Sequence, residues 1–240
     1  MGRHIGDPMR IVLFDIDGTL TATTNADNGC YETAFERCFG FPLPTTDWHC
    51  YRHVTDMGII QETMSNAGRP AASLDAIARF EEIYETELAK SFAQHPGGFI
   101  EVPGARRLLD TLKAMPGVTA ALATGGMRRT ALFKLRQIGV DGAAMPGAFA
   151  NDAISRADIA RTAIARTGVT PDDVVYVGDG AWDAATSAEL GLRFVGVCRE
   201  YSRDRLIAAG AATIVEDYED IGGALNAIES ATVPVPAAGT

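Results

Sequence analysis

The chain has 240 residues, enough for one large domain or for a core with a smaller insert. Its 47% hydrophobic content is ordinary for a globular protein, and no apolar run approaches the ~20 residues that a membrane helix needs. A formal net charge of -10 argues against nucleic acid and anionic membranes as partners, so a bound phosphate would need a local metal ion, an arginine or a helix N-terminus.

The first stretch, Met1 to Pro8, lacks the apolar core of a signal peptide and reads as a disordered start, with Met9 as the functional beginning. Ile11-Val12-Leu13-Phe14 then reads as a buried strand of a parallel sheet covered on both faces. Residues 21 to about 95 carry helical spacing and no strand signal. The expected helices run from Asn28 to Phe39, from about Thr55 to Ala67, and from Ser73 along a stripe of Leu74, Ile77, Phe80, Tyr84, Leu88 and Phe92. His95-Pro96-Gly97-Gly98 breaks the pattern, and Val102-Pro103-Gly104 opens a helix with Leu108, Leu109 and Leu112 apolar.

From there strands and helices alternate. Strands are expected at Val118–Ala123, Ala148–Phe149, Val174–Val177, Phe194–Val197 and Thr213–Val215. Helices are expected over 129–139, 155–166, 183–190 and 221–228, the second capped by Ser155 with Asp158. The tail from Thr232 to Gly239 reads as disordered, and there are no internal repeats. The organisation is therefore an α/β core over 9–20 and 97–230, a helical insert over 21–96, and disordered ends at 1–8 and 231–240. An insert placed directly after the first strand sits over the strand C-termini, where such a sheet binds its ligand. Cys30, Cys38, Cys50 and Cys198 have no zinc-like spacing and read as free thiols of a cytoplasmic protein.

The chemistry gathers at strand ends. Phe14-Asp15-Ile16-Asp17-Gly18-Thr19 puts two carboxylates where burial would be costly without a metal ion or a reacting ligand. Asp15 is a candidate carboxylate nucleophile, and Asp17 a candidate general acid that later activates water. Gly18 permits a tight turn and a close approach to phosphate, and Thr19 offers a hydroxyl; a plain Asp-Gly turn is the blander reading. The second strand ends in Thr124-Gly125-Gly126, a hydroxyl followed by free backbone N–H groups. Val177-Gly178-Asp179-Gly180-Ala181-Trp182-Asp183 ends another strand in two acids, hard oxygen donors of the kind Mg²⁺ takes. A dinucleotide fingerprint is ruled out there, because Asp183 occupies the place of its third glycine. His53, with Arg52 beside Thr55, is a candidate for substrate binding, against the alternative of a polar turn before a helix capped by Thr55.

The Asp-x-Asp-Gly-Thr run resembles motif I of the haloacid dehalogenase-like hydrolase superfamily. Thr124 and the Gly178-Asp179 to Asp183 run are similar to its motifs II and IV, in the right order. The motif III lysine is missing, and Arg156, in the first turn of its helix, aligns with that position. Arg128 and Arg129, after the Thr-Gly-Gly loop, are the competing cations. The resemblance covers roughly residues 10 to 230, and the helical insert is similar to the C1-type cap of phosphoglycolate-phosphatase-like members. It implies a Rossmann-like parallel core, Mg²⁺ held by Asp15, Asp17, Asp179 and Asp183, and an aspartyl-phosphate intermediate. An acid at the position of Asp17 sets it apart from the dehalogenases and phosphonoacetaldehyde hydrolases and implies phosphate-ester chemistry. The expectation is a Mg²⁺-dependent phosphatase of a small phosphorylated metabolite, monomer or homodimer. A phosphosugar mutase and a non-catalytic binding or scaffold protein are the alternatives.

Overall fold

The computed structural model describes residues 9–168, 173–198 and 203–236, so the expected disordered start lies outside the described residues. Six parallel strands form one sheet. They lie in the order β5 (Gly147–Ala148), β4 (Val118–Ala123), β1 (Arg10–Phe14), β6 (Asp173–Gly178), β7 (Arg193–Val197) and β8 (Ile214–Val215). β1 is central because it can be: Ile11, Val12, Leu13 and Phe14 are all 0% exposed, a run with no polar side to present to water. Alternation along the strand sends Val12 and Phe14 into one apolar cluster and Ile11 and Leu13 into another.

Each face is covered by helices. Leu108, Leu112, Ala224 and Ile228 of α4 (Ala105–Ala114) and α9 (Ile221–Ser230) close the first cluster, with Ala131 and Leu135 of α5 (Arg128–Gln137). Ile159, Ala160, Ala184 and Leu206 of α6 (Arg156–Arg166), α7 (Ala181–Leu190) and α8 (Arg203–Ala208) close the second. α8 is an element that the sequence pattern did not single out.

Between β1 and β4 lie α1 (Thr24–Phe39), α2 (Asp56–Asn66) and α3 (Leu74–Gln94), joined around a third apolar cluster. Its centre is aromatic: the Tyr31 ring meets Phe80 and Tyr84 edge-on at 5.1 and 5.4 Å. Met127, Phe133 and Ala150 extend this cluster into the sheet-bearing part. Thr55 caps α2 and Ser155 caps α6, each hydroxyl accepting a backbone N–H of the first turn as expected.

Three expectations are corrected. Residues 21 to 95 are not wholly helical: Thr21–Ala22 form β2, antiparallel to β3 (Ile100–Glu101), so the two chain crossings into the helical block are paired. Two residues are too short to leave a periodic signal. Leu74 is 83% exposed, so the stripe of α3 begins at Ile77; a first-turn residue precedes the buried face. The tail is ordered to Pro236 at least, since Thr232 bridges to Phe194 and the Val235 N–H donates to the Gly210 carbonyl at 3.3 Å.

At the end of the sheet away from the site, Asp173 accepts from Arg10 Nε at 2.6 Å and from Arg193 Nε at 2.7 Å. It ties β1, β6 and β7 together, and Arg10 also pairs with Glu229 of α9. Burial pushes the Asp173 carboxyl up, but Arg193 and Arg10 outweigh it and hold it below its ordinary value. A carboxyl depressed by folding contributes stability above its unfolded pKa and loses it as pH falls through the folded value. Asp173→Asn is therefore expected to cost about 1–3 kcal/mol near neutral pH. In denaturation curves at descending pH that difference should shrink below about pH 4.

Candidate active site

The strand ends bring the chemistry together. Phe14 pairs with Leu122 on one side and Val177 on the other, so β1, β4 and β6 run out side by side. Asp15, Thr124 and Asp179 follow them. The chain turns to opposite sides of β1 here, the switch point where sheets of this kind bind ligands. Gly18 makes the turn beyond Asp15 with φ 78°, and a Cβ there would run into the Asp179 carboxylate.

Asp15 is 2% exposed and Asp183 0% exposed. Oxygen atoms of Asp15, Asp179 and Asp183 all lie within 4.8 Å of one another. Burial, and then the charge of Asp183, push Asp15 up to about 7; burial and then Asp15 push Asp179 well up. Arg156 is the near counter-charge: its side chain is only 11% exposed, with Nη1 3.5 Å from Asp15 Oδ1 and 2.6 Å from Asp183 Oδ1. Burial alone would lower its pKa, but Asp183 and Asp15 outweigh that and raise it. One arginine against three carboxylates leaves excess negative charge in a dry site. Hard oxygen donors crowded in that way fit a divalent cation.

Asp183 is fixed further by the Tyr176 hydroxyl at 3.3 Å and the Gly180 N–H at 3.1 Å. Asp17 is placed otherwise. Its Oδ1 accepts from Thr23 Oγ1 at 3.0 Å, its Oδ2 from Lys134 Nζ at 2.6 Å, and it is not one of the crowded trio.

Thr124 lies against Asp15, and its Oγ1 accepts the Gly126 N–H at 3.2 Å. The helical block closes over this loop. Asp56 donates its N–H to the Gly125 carbonyl at 2.8 Å and accepts the Met127 N–H at 2.8 Å, while Arg156 Nε donates to the Val54 carbonyl at 2.9 Å. A Cβ at Gly125 would stand 2.7 Å from both Arg156 Nη2 and that same carbonyl. The pocket between sheet and helical block has a volume of about 150 Å³ and takes Asp15, Asp17, Thr124, Arg156 and Asp179 from the sheet side. From the helical side it takes Asp27, Tyr31, Trp48, Asp56 and Tyr84.

Several candidates are not brought in. His53 does not line the pocket. Thr19 is 0% exposed and its hydroxyl has no partner, so it is a packing residue of the turn. Gly18 serves that turn rather than the pocket wall. Arg128 lies over the Phe149 ring and Arg129 pairs with Glu85 and Glu82, and neither lines the pocket.

Lys134 is the residue that the sequence reading missed. The segment before α6 holds no lysine, but α5 delivers one, with a side chain 1% exposed. Thr130 and Ala131, four and three residues earlier, are 0% exposed, so Lys134 sits on the apolar face of its helix. A charge on that face was the available signal. Asp27 reaches it from α1 at 3.1 Å.

Fold and site together define an α/β protein with an acidic pocket at its strand C-termini. The chain belongs to the haloacid dehalogenase-like hydrolases, whose family model matches residues 9–191. It is similar to a hydrolase from Pseudomonas syringae (22% identity, covering 92% of this chain and 99% of that one, TM-score 0.70). It is also similar to CbbY from Rhodobacter sphaeroides in complex with phosphate (19% identity, 92% and 99%, TM-score 0.67). The tyrosine-protein kinase PtkA of Mycobacterium tuberculosis is 27% identical over 217 residues, 88% of this chain and 69% of that protein.

If the trio takes a cation, saturating Mg²⁺ should raise the melting temperature by about 2–4 °C. Asp179→Asn should abolish that shift. An unchanged melting temperature in the native protein would count against a metal at this site.

Proposed function

We propose that the protein is a Mg²⁺-dependent phosphatase of small phosphate monoesters that works through an aspartyl-phosphate on Asp15. The observation that carries this reading is the placement of Asp15, at a parallel-strand end, against Thr124, Arg156 and the Asp179 and Asp183 carboxylates, lining a pocket between sheet and helical block. Asp15 and Asp179 would hold the ion, with Asp183 behind them, and when bound it would offset repulsion between carboxylate and phosphate.

An Asp15 oxygen attacks phosphorus, and the bond from phosphorus to the ester oxygen breaks. Protonated Asp17 gives its proton to that departing oxygen. Asp17 then takes a proton from water as the water attacks phosphorus; the bond to Asp15 breaks and inorganic phosphate leaves. The Thr124 hydroxyl and the Gly125 N–H supply donors to the phosphate oxygens, and the Gly126 N–H holds the Thr124 oxygen in place. Arg156 supplies a fixed positive charge beside the nucleophile. Residues 21–96 act as a cap over the core of 9–20 and 97–230. The cap seats on the core through hydrogen bonds, such as Thr55 Oγ1 to the Ile154 carbonyl at 2.7 Å, which water can replace when it opens.

The Cys30, Cys38, Cys50 and Cys198 thiols are free, which supports a cytoplasmic setting, and among the described residues no helix is long and apolar enough to cross a membrane. The name of the mycobacterial relative raises a second reading, in which a tyrosine hydroxyl replaces water as phosphoryl acceptor. Phosphotyrosine formed from ATP on a peptide would favour that reading; phosphate release from an ester with no acceptor present favours ours.

Two outcomes are expected in a phosphate-release assay with an aryl phosphate. Asp15→Asn and exhaustive chelation should each abolish turnover, with Mg²⁺ restoring the chelated protein, and full activity after chelation would refute the mechanism. Arg156→Ala should lower kcat/KM on the order of ten- to a hundredfold, the loss of one charge-assisted hydrogen bond. Arg156→Lys should recover part of it, since the charge matters more here than the fork.

A further inference from the structure

We propose that Lys134 is a positioning residue for Asp17, and that it ties the aim of that carboxylate to the helical block through Asp27. The inference rests on the phosphatase reading. A lysine with 1% of its side chain exposed is rare, because its ammonium loses its water and must be repaid by anions. Lys134 has two within reach: Asp17 Oδ2 at 2.6 Å and Asp27 Oδ2 at 3.1 Å.

Asp17 is gripped from two sides. Lys134 holds one oxygen, and Thr23 and Thr21 donate to the other at 3.0 and 3.4 Å. Asp27 is itself held by the Tyr84 hydroxyl at 2.5 Å. Asp27 and Tyr84 belong to α1 and α3, Asp17 follows β1, and Lys134 belongs to α5. Lys134 therefore shares its charge between the proton-transfer group and the block that closes the pocket. A shift of α1 away from the core would take Asp27 from the ammonium and leave its hydrogen bond to Asp17.

The later base role of Asp17 is common to all esters. In kcat/KM, which reads the steps up to departure of the alcohol, a residue that aims the proton donor matters where the leaving oxygen needs a proton. An alkoxide does; a nitrophenolate leaves without one. The loss of Lys134 should therefore depend on the ester, which a purely structural lysine or a phosphate ligand would not produce.

The test is kcat/KM for an alkyl phosphate and for p-nitrophenyl phosphate, with Mg²⁺, in the Lys134→Met/Asp27→Asn double variant. That variant removes the buried cation together with one of its anions. The alkyl ester should lose about a hundredfold and the aryl ester less than about threefold. Lys134→Arg should recover part of the alkyl activity. If the double variant does not fold, the same two esters are compared on Lys134→Arg, where a selective loss on the alkyl ester supports the proposal. Equal losses on both esters, or no loss, overturn it. A native protein that hydrolyses neither ester overturns the phosphatase reading first, and this inference with it.

Discussion

Carboxylates buried together at the ends of two neighbouring strands are the condition on which the rest of this structure depends. Asp15 and Asp183 have almost no access to water, and Asp179 is pressed against the Gly18 turn. Charge in such surroundings either finds a partner or takes up protons. The fold supplies partners from two directions, Arg156 from α6 and Lys134 from α5. Neither helix is free to move without exposing an unpaired charge, so the electrostatics of the pocket also fix the helices that flank it. Both cations are held by carboxylates of the site, Arg156 by Asp15 and Asp183 and Lys134 by Asp17 and Asp27.

Much of this was legible in the residues. Ile11–Phe14 carries four apolar side chains and then acids, and no surface strand reads that way. Thr124 and Asp179 were recognisable for the same reason: each breaks an apolar run at its end. Arg156 could be placed because motif order narrows the region to one helix start. Lys134 and Asp27 could not be placed so, since each lies inside a helix and only the pairing of α5 with α1 brings them to Asp17. β2 and β3 escaped notice because two-residue strands have no period, and Thr232 to Pro236 looked free because its ordering comes from backbone bonds to distant β7 and Gly210. His53 lies in the bend before α2 and does not line the pocket.

The seam between the helical block and the sheet is of two kinds. Phe133, Met127 and Ala150 give it an apolar patch beside Phe99 and Phe92. Nearer the pocket it is made of backbone and carboxylate hydrogen bonds, with Glu81 accepting from the Arg129 N–H at 2.8 Å and from Asn151 Nδ2 at 3.0 Å.

The central place of β1 has a consequence for how the chain is made. It leaves the ribosome before either neighbour, since these begin at Val118 and Asp173, the latter 163 residues away from Arg10. The helical block between 24 and 94 can close on its own local contacts while β1 waits with both edges bare. An apolar strand without partners is the kind of segment that chaperones cover and that aggregates pair with. Loss of soluble protein during expression is thus expected from this interval of synthesis, even for a chain whose finished fold is stable.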